Sequence, residues 1–194
     1  MSTPKEALKE HRRRLSRLAL DLEQLRRSLP PRDRLISGLF QALRTALGAS
    51  LSYFAARWLG MEQGYWAAIT AISVMQNSYV DVKSSSRDQF IGALIGALIG
   101  LAAAVLGHDH YLAYLLAVMA GVVFCWLANL GNAGRISGVT TTIIMLVPQS
   151  GTFGHIALLR LGEVVVGALA ALLVTRLLSL LTSRLLGPAI PPAG

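Results

Sequence analysis

The chain has few of the residues on which enzymes and metal sites depend. Its 194 residues include one cysteine, Cys125, within an apolar run, so disulfides and thiolate metal sites are excluded. No GxxxxGK[ST] loop is present, and no Ser-His-Asp or Cys-His set has a readable spacing. His108, Asp109 and His110 form a short polar loop that lacks a further metal ligand. We therefore expect no enzyme, no metal and no cofactor.

Charged side chains are also scarce. Soluble domains usually have about 25% charged residues, whereas this chain has 14%, together with 54% hydrophobic residues. Ten of the eighteen lysines and arginines precede Leu35, and most of the others lie at the edges of apolar runs. A basic terminus beside apolar segments sets membrane orientation and contacts anionic lipids. The net charge of +8 therefore favours a lipid bilayer, and not nucleic acid, as the partner.

Six apolar segments follow the basic terminus. They are Leu35–Gly60, Tyr65–Val80, Phe90–Leu106, Tyr111–Leu130, Ile136–Val147 and Ile156–Leu181. A helix rises about 1.5 Å per residue, so the third segment is just long enough to cross a hydrocarbon core. The second and fifth segments are short for a membrane span. We expect each of them to be either tilted, or extended by its polar ends, or broken within the membrane. The sequence predicts an all-α, polytopic membrane bundle of about six transmembrane helices.

The second and third segments are expected to form a membrane hairpin. Neither contains a charged residue, and a short charged loop with Lys83 and Arg87 is expected between them. Glycines recur at four-residue intervals in the third segment, where they let a neighbouring backbone approach closely. The glycines predicted to mediate helix packing are Gly92, Gly96, Gly100 and Gly167.

The positions of the basic residues predict which end of each segment faces the cytoplasm. With the amino terminus inside, the inner basic residues beyond the head outnumber the outer ones, in accord with the positive-inside rule. The inner residues are Lys83, Arg87, Arg135, Arg176 and Arg184, and the outer ones are Arg57 and Arg160. We predict a multi-pass protein of the bacterial inner membrane with both termini in the cytoplasm.

The two halves of the apolar region are weakly similar. The second and fifth segments are short, carry Ser or Thr, and end near Gln76 and Gln149 respectively. Each is followed by a long helix with a basic start, Arg87 or Arg160, and by a Gly-Ala-Leu stretch. With three spans in each half, such repeats would be inverted. Shared apolar composition is the alternative explanation.

The basic head, residues 1–31, carries leucines at heptad spacing. They are Leu8, Leu15, Leu18, Leu22, Leu25 and Leu29. An apolar seam of this period favours a short coiled coil and hence self-association. The alternative is an amphipathic helix on the membrane surface, with its arginines near lipid phosphates. A membrane domain, residues 32–186, and a proline-rich tail, residues 187–194, are expected to follow.

Polar side chains within apolar segments are the candidates for function, because charge inside a bilayer is costly. Arg160 and Glu163, three residues apart on one helix face, are either a structural ion pair or a proton-coupling pair. The candidates for a substrate path lie mainly in the second and fifth segments, although Ser and Thr there also bond to their own helix backbone. They are Arg44, Trp66, Thr70, Ser73, Gln76, Asn77, Thr141, Thr142 and Gln149.

Residues Leu43–Gly100 resemble the core of the fusaric acid resistance and aromatic acid exporter families. The likeness lies in LRTALGASLSYFAARWLG, in YWAAITAISVMQ, and in Arg87 leading into GALIGALIG. Arg135–Leu178, with RLGEVVVGALAALLV, is similar to the second half of the same domain. The resemblance implies a six-helix inner-membrane transporter domain for efflux of aromatic carboxylic acids. Plant aluminium-activated malate channels are implied to be distant relatives in architecture.

The resemblance also bears on assembly. Larger family members carry two such membrane domains and a cytoplasmic region, whereas this chain has one membrane domain. We therefore expect a homo-oligomer, a dimer or higher, with a periplasmic adaptor protein as a further partner. The predicted function is efflux of small organic acids, with aromatic acids as the class that the resemblance names. An anion channel on the same fold and a non-transporting membrane scaffold are the alternatives.

Overall fold

The computed structural model describes residues 30–76, 78–107, 111–147 and 152–186. These residues form six α-helices and no β-strand, so the predicted all-α class is confirmed. The helices are α1 (Pro31–Trp58), α2 (Tyr65–Val74), α3 (Tyr79–Gly107), α4 (Tyr111–Leu127), α5 (Gly131–Leu146) and α6 (Phe153–Leu186). The chain divides into two compact units, Met1–Gln41 and Ala42–Gly194, and the packing and pockets described below belong to the second.

Several predicted positions lie outside the described residues. They are Leu8, Leu15, Leu18, Leu22, Leu25 and Leu29 of the head, Asn77, the loop His108–His110, Gln149 and the tail 187–194. The coiled coil and the surface helix both stay predictions for the head.

Helix α3 begins earlier than the sequence analysis predicted. The prediction of a charged loop before the third segment is therefore wrong. Residues from Tyr79 onward are helical. Ser78 Oγ accepts a hydrogen bond from the backbone N–H of Val80 at 3.2 Å. Asp81 lies in the first turn, where a negative charge is favourable to the helix dipole. This Ser-x-x-Asp sequence is a helix start signal, and no proline or glycine interrupts the chain before Gly92.

Helix α2 is short, with 10 residues. It ends at Val74 because Met75 adopts an extended backbone, with ψ of 116°. The predicted second segment, Tyr65–Val80, is therefore not one continuous helix. Ten helical residues rise about 15 Å, which is half the thickness of a hydrocarbon core. Its counterpart in the second half, α5, has 16 residues.

The long helices α3 and α6 pack against each other, with α4 and α5 against α3 and α2 against α6. Glycines make these approaches close. A methyl group at Gly92 would lie 2.5 Å from the carbonyl oxygen of Ala133 in α5, and Gly96 and Gly100 face the same helix. Gly167 of α6 faces α2 in the same manner. The helix backbones therefore meet where any larger residue would separate them.

The interior of the second unit consists largely of small side chains, and its exterior carries large apolar ones. Ala67 and Ala71 are 0% exposed, whereas Trp58 is 88% and Leu127 is 82% exposed. A water-soluble protein rarely exposes apolar surface on this scale, while small residues at helix contacts are typical of proteins in lipid. Among the described helices, α3 and α6 are each long and apolar enough to span a membrane. The arrangement favours lipid as the solvent of this unit.

Candidate functional site

Two cavities, each of about 320 Å³, lie at opposite ends of the short helix α2. The first pocket is enclosed by the loop before α2, the start of α6 and the end of α5, with Gln63 and Arg160 among its lining residues. The second pocket is enclosed by the end of α2 and the starts of α3 and α5, with Ser73 and Asn132 among its lining residues. Cavities of this size suit small organic ligands.

Arg160 is the distinguishing group of the first pocket. Its side chain is 4% exposed, and its Nε and Nη1 have no hydrogen-bond partner among the described residues. Nη1 lies 3.5 Å from Oε2 of Glu163, which is longer than the charge-assisted hydrogen bond of about 2.7–2.9 Å. The guanidinium also lies 5.0 Å from the ring centroid of Trp66, within the range of a cation–π contact. A buried cation therefore borders a cavity.

Local sequence positions these groups. Arg160 and Glu163 share a face of α6 because they are three residues apart. Trp66 lies in the first turn of α2, and its Nε1 donates a hydrogen bond to Oε1 of Gln63 at 2.9 Å. At the start of α6, Thr152 Oγ1 accepts a hydrogen bond from the backbone N–H of His155 at 3.4 Å. The hydrogen bond to Gln63 thus holds the indole of Trp66 beside the guanidinium of Arg160, which also lines the cavity.

The second pocket combines amides with one buried carboxylate. Oδ1 of Asp88 lies 3.3 Å from Nη2 of Arg87, and Oδ2 accepts a hydrogen bond from Nδ2 of Asn132 at 3.3 Å. Gln89 and Arg135 also line this pocket. The start of α5 has no side-chain cap, so a neighbouring carboxylate is favourable to its helix dipole. In the described part of the chain, no three His, Cys, Asp or Glu residues are placed to hold a metal ion.

The structure distributes the predicted path residues between the two ends of α2. Trp66 contacts Arg160 at the first pocket, while Ser73 and Gln76 line the second. Arg44 is buried, and its Nη1 donates a hydrogen bond to the backbone oxygen of Gln76 at 3.1 Å. This bond joins α1 to the extended residues that follow α2.

Three predicted path residues are placed at helix contacts. Thr70 is fully buried against Gly167, and Thr141 Oγ1 donates a hydrogen bond to the backbone oxygen of Gly96 at 3.1 Å. Thr142 Oγ1 donates to a carbonyl of its own helix at 2.8 Å. None of the three lines either of these two pockets.

Several polar residues that line the pockets were not among the site candidates predicted from the sequence. They are Glu62, Gln63, Ser85, Asp88, Gln89, Asn132, Arg135 and His155. Ser85, Asp88 and Gln89 were assigned to a loop because the start of α3 was placed too late. Counting turns from the Ser78 cap would have put Asp88 on the same helix face as Gly92, one turn earlier.

A bundle with a small-residue interior, an apolar exterior and polar pockets at both ends of a short helix has the architecture of a membrane transport domain. The chain belongs to the fusaric acid resistance protein-like family, whose sequence model matches residues 51–174. The family resemblance predicted from the sequence is therefore confirmed, and the chain is a member of a membrane transporter family.

Two proteins of Escherichia coli strain K12 are similar to this chain. The uncharacterized transporter YdhK is 30% identical over 140 residues, which cover 66% of this chain and 21% of that protein. The inner membrane protein YccS is 26% identical over 136 residues, which cover 70% of this chain and 19% of that protein. The chain thus spans about a fifth of the length of these relatives. No solved structure matches it significantly.

Proposed function

We propose that this chain is an inner-membrane carrier domain that exports small organic anions, aromatic carboxylic acids among them. All six helices are embedded in the membrane in this proposal, both termini lie in the cytoplasm, and two or more copies assemble. The observation that carries it is the buried cation Arg160 in the lining of a cavity of about 320 Å³.

Arg160 suits a carboxylate for geometric reasons. A guanidinium binds a carboxylate through charge-assisted N–H···O bonds, and Nε of Arg160 has no hydrogen-bond partner among the described residues. Glu163 Oε2, 3.5 Å from Nη1, neutralises the cation across a contact that is longer than a charge-assisted hydrogen bond. A hydrogen bond to a charged group contributes about 1.5–3 kcal/mol, so its loss weakens binding by about 10- to 100-fold.

Part of the wall of the first pocket is apolar and suits an apolar ligand body. It is formed by Met61, Ile143, Ile156 and Leu159, while Glu62, Gln63 and His155 line the remainder with Arg160 and Glu163. An aromatic or aliphatic ligand body buried there contributes binding free energy in proportion to the apolar area that is removed from water. This combination favours organic acids over small inorganic anions, whose charge would be the only group bound.

Benzoate efflux from proteoliposomes tests this proposal. Arg160→Gln is expected to slow efflux by about tenfold or more at low benzoate concentration, because the anion loses its charged partner. Efflux by Arg160→Lys should be slower than efflux by the unaltered protein and faster than efflux by Arg160→Gln. Lysine keeps the positive charge but cannot bind a carboxylate bidentately. Arg176→Gln is the matched control, because Arg176 is an exposed arginine of the same helix that lies over Tyr79. Full-rate efflux by Arg160→Gln would contradict the proposal.

The two other functions predict different results. An anion channel would give unitary currents in a planar bilayer, whereas a carrier gives none. A scaffold would give no benzoate flux in the unaltered protein. The topology has its own measurement, since a reporter fused after Gly194 should be active only in the cytoplasm.

A further inference from the structure

Two glycine contacts in the second unit are the same contact made twice. In each contact, a glycine of a long helix faces two residues of a short helix. The first of these residues presents its backbone carbonyl, and the second, three residues further along the short helix, is a threonine. The contacts are Gly167 with Ala67 and Thr70, and Gly96 with Ser137 and Thr140. A methyl group added to the glycine would lie 2.8 Å from the threonine Cβ in the first contact and 2.9 Å in the second. Helix pair α6 with α2 is therefore the counterpart of helix pair α3 with α5.

The pocket residues follow the same intervals from these contacts. On the long helices, three residues of the first pocket precede Gly167, and three of the second pocket precede Gly96 by the same numbers of residues. They are Ile156, Leu159 and Arg160 in the first pocket and Ser85, Asp88 and Gln89 in the second. On the short helices, Ile143 lies three residues after Thr140, and Ser73 lies three residues after Thr70. Glu62 and Asn132 each lie eight residues before the threonine of the contact, Thr70 and Thr140 respectively. The two pockets thus share several equivalent positions, whereas Glu163 of the first and Arg135 of the second have no counterpart in the other lining.

The two halves run in opposite directions. Helices α2 and α6 begin at the first pocket, whereas α3 and α5 begin at the second. Each helix is therefore antiparallel to its counterpart, and the repeat is inverted. Shared apolar composition would not reproduce the same intervals in contacts and in pocket linings. In transporters, inverted repeats meet at the substrate path and allow its two ends to open alternately.

We propose that the second pocket is a further binding site for the same class of small organic anion, and that the two pockets are the ends of one path that open in turn. This proposal rests on the proposed function of the first pocket. The donors available to an anion are Arg135 and the amides of Gln89 and Asn132. The charge of Asp88 is offset by Arg87, whose Nη2 is 3.3 Å away.

The two pockets differ in how they hold charge. The position equivalent to that of Arg160 is occupied by the neutral Gln89, and the position equivalent to that of Leu159 by Asp88. The cation of the second pocket is instead Arg135, which is exposed. Each cation shares its pocket with a carboxylate, Glu163 in the first and Asp88 in the second, but charge is screened less at a buried guanidinium than at an exposed one. Benzoate should therefore bind more weakly at the second pocket than at the first.

Cysteine protection tests this proposal at one residue of each pocket. Glu62→Cys and Ser73→Cys, neither of which removes a donor to the anion, are made separately in a Cys125→Ser background, and their alkylation by N-ethylmaleimide is followed in proteoliposomes with and without benzoate. Benzoate at about ten times its Kd for each pocket is expected to slow alkylation about tenfold at that pocket. Arg160→Gln should remove the protection at position 62, and Arg135→Gln the protection at position 73.

The outcomes separate this proposal from the function on which it rests. Protection at position 62 without protection at position 73 would overturn the second site and leave the first intact. No protection at position 62 would refute the function proposed for Arg160. If Ser73→Cys does not fold, Ser85→Cys reports on the same pocket from α3.

Counterflow tests whether the two ends open in turn. Proteoliposomes loaded with unlabelled benzoate should transiently accumulate labelled benzoate above its external concentration, because an alternating carrier exchanges one molecule for another. Simple equilibration without an overshoot would overturn alternate opening.

Discussion

Replacing Gly167 by alanine is expected to destabilise the protein, although alanine is normally the better helix residue. The added methyl group would lie 2.5 Å from the carbonyl oxygen of Ala67 and 2.8 Å from Cβ of Thr70. A carbon–oxygen contact needs about 3.3 Å, so α2 must withdraw from α6 by about 0.8 Å. The obstructing atoms belong to the backbone and to a Cβ, so no side-chain rotation relieves the contact.

The magnitude follows from two opposing effects. Overpacking a close contact costs about 1–3 kcal/mol. The higher helix propensity of alanine offsets about 0.5–1 kcal/mol of that cost. The net loss of about 1–2 kcal/mol lowers the folded-to-unfolded ratio by a factor of about 5–30.

The assay is equilibrium unfolding in mixed micelles, followed by tryptophan fluorescence. Gly96→Ala, the equivalent substitution on α3, should lose stability as well, because its methyl group would collide with the carbonyl oxygen of Ser137. Gly38→Ala is the matched control, since no described atom lies within 4 Å of its added methyl group. It should leave stability unchanged or raise it by about 0.5–1 kcal/mol. Stability of Gly167→Ala equal to that of this control would refute the close-packing argument.

Three other changes have defined outcomes. Glu163→Gln leaves Arg160 without its counterion at 3.5 Å, so benzoate should bind more tightly and leave more slowly, and efflux should fall at normal protein levels. Normal efflux would remove Glu163 from the mechanism. Ser78→Ala loses the cap on the N–H of Val80 and should cost about 1 kcal/mol, measured as a lower unfolding midpoint; an unchanged midpoint would contradict the cap. Deletion of residues 1–29 should lower the oligomer mass in detergent, measured by light scattering, and an unchanged mass would exclude the coiled coil.

Apolar periodicity and charge were sufficient to predict the all-α class and to identify the ion pair of α6, but not the start of α3. The long apolar runs correspond to helices because little else in these sequences competes with helix formation. Arg160 and Glu163 were identified because a spacing of three puts two side chains on one helix face whatever the helix packs against. Properties that depend on a single helix could therefore be predicted.

Properties that depend on two helices could not. Asp88 and Asn132 meet although they are 44 residues apart, and nothing in either segment specifies the other. The end of α2 at Val74 was also missed, since the sequence there lacks proline or glycine. The extended residues beyond it are fixed by a bond from Arg44 to the oxygen of Gln76, which comes from a different helix.

The alanine- and glycine-rich interior has a mechanical consequence. Where large side chains interdigitate, a helix that shifts along its neighbour must lift over each ridge of side chains. Ala67 and Ala71 of α2 are flush with the helix surface, and Gly167 on α6 has no side chain at all, so the ridges between these helices are shallow. A short axial shift of α2 along α6, which must carry Thr70 past Gly167, would enlarge the space at one end of α2 and reduce the space at the other.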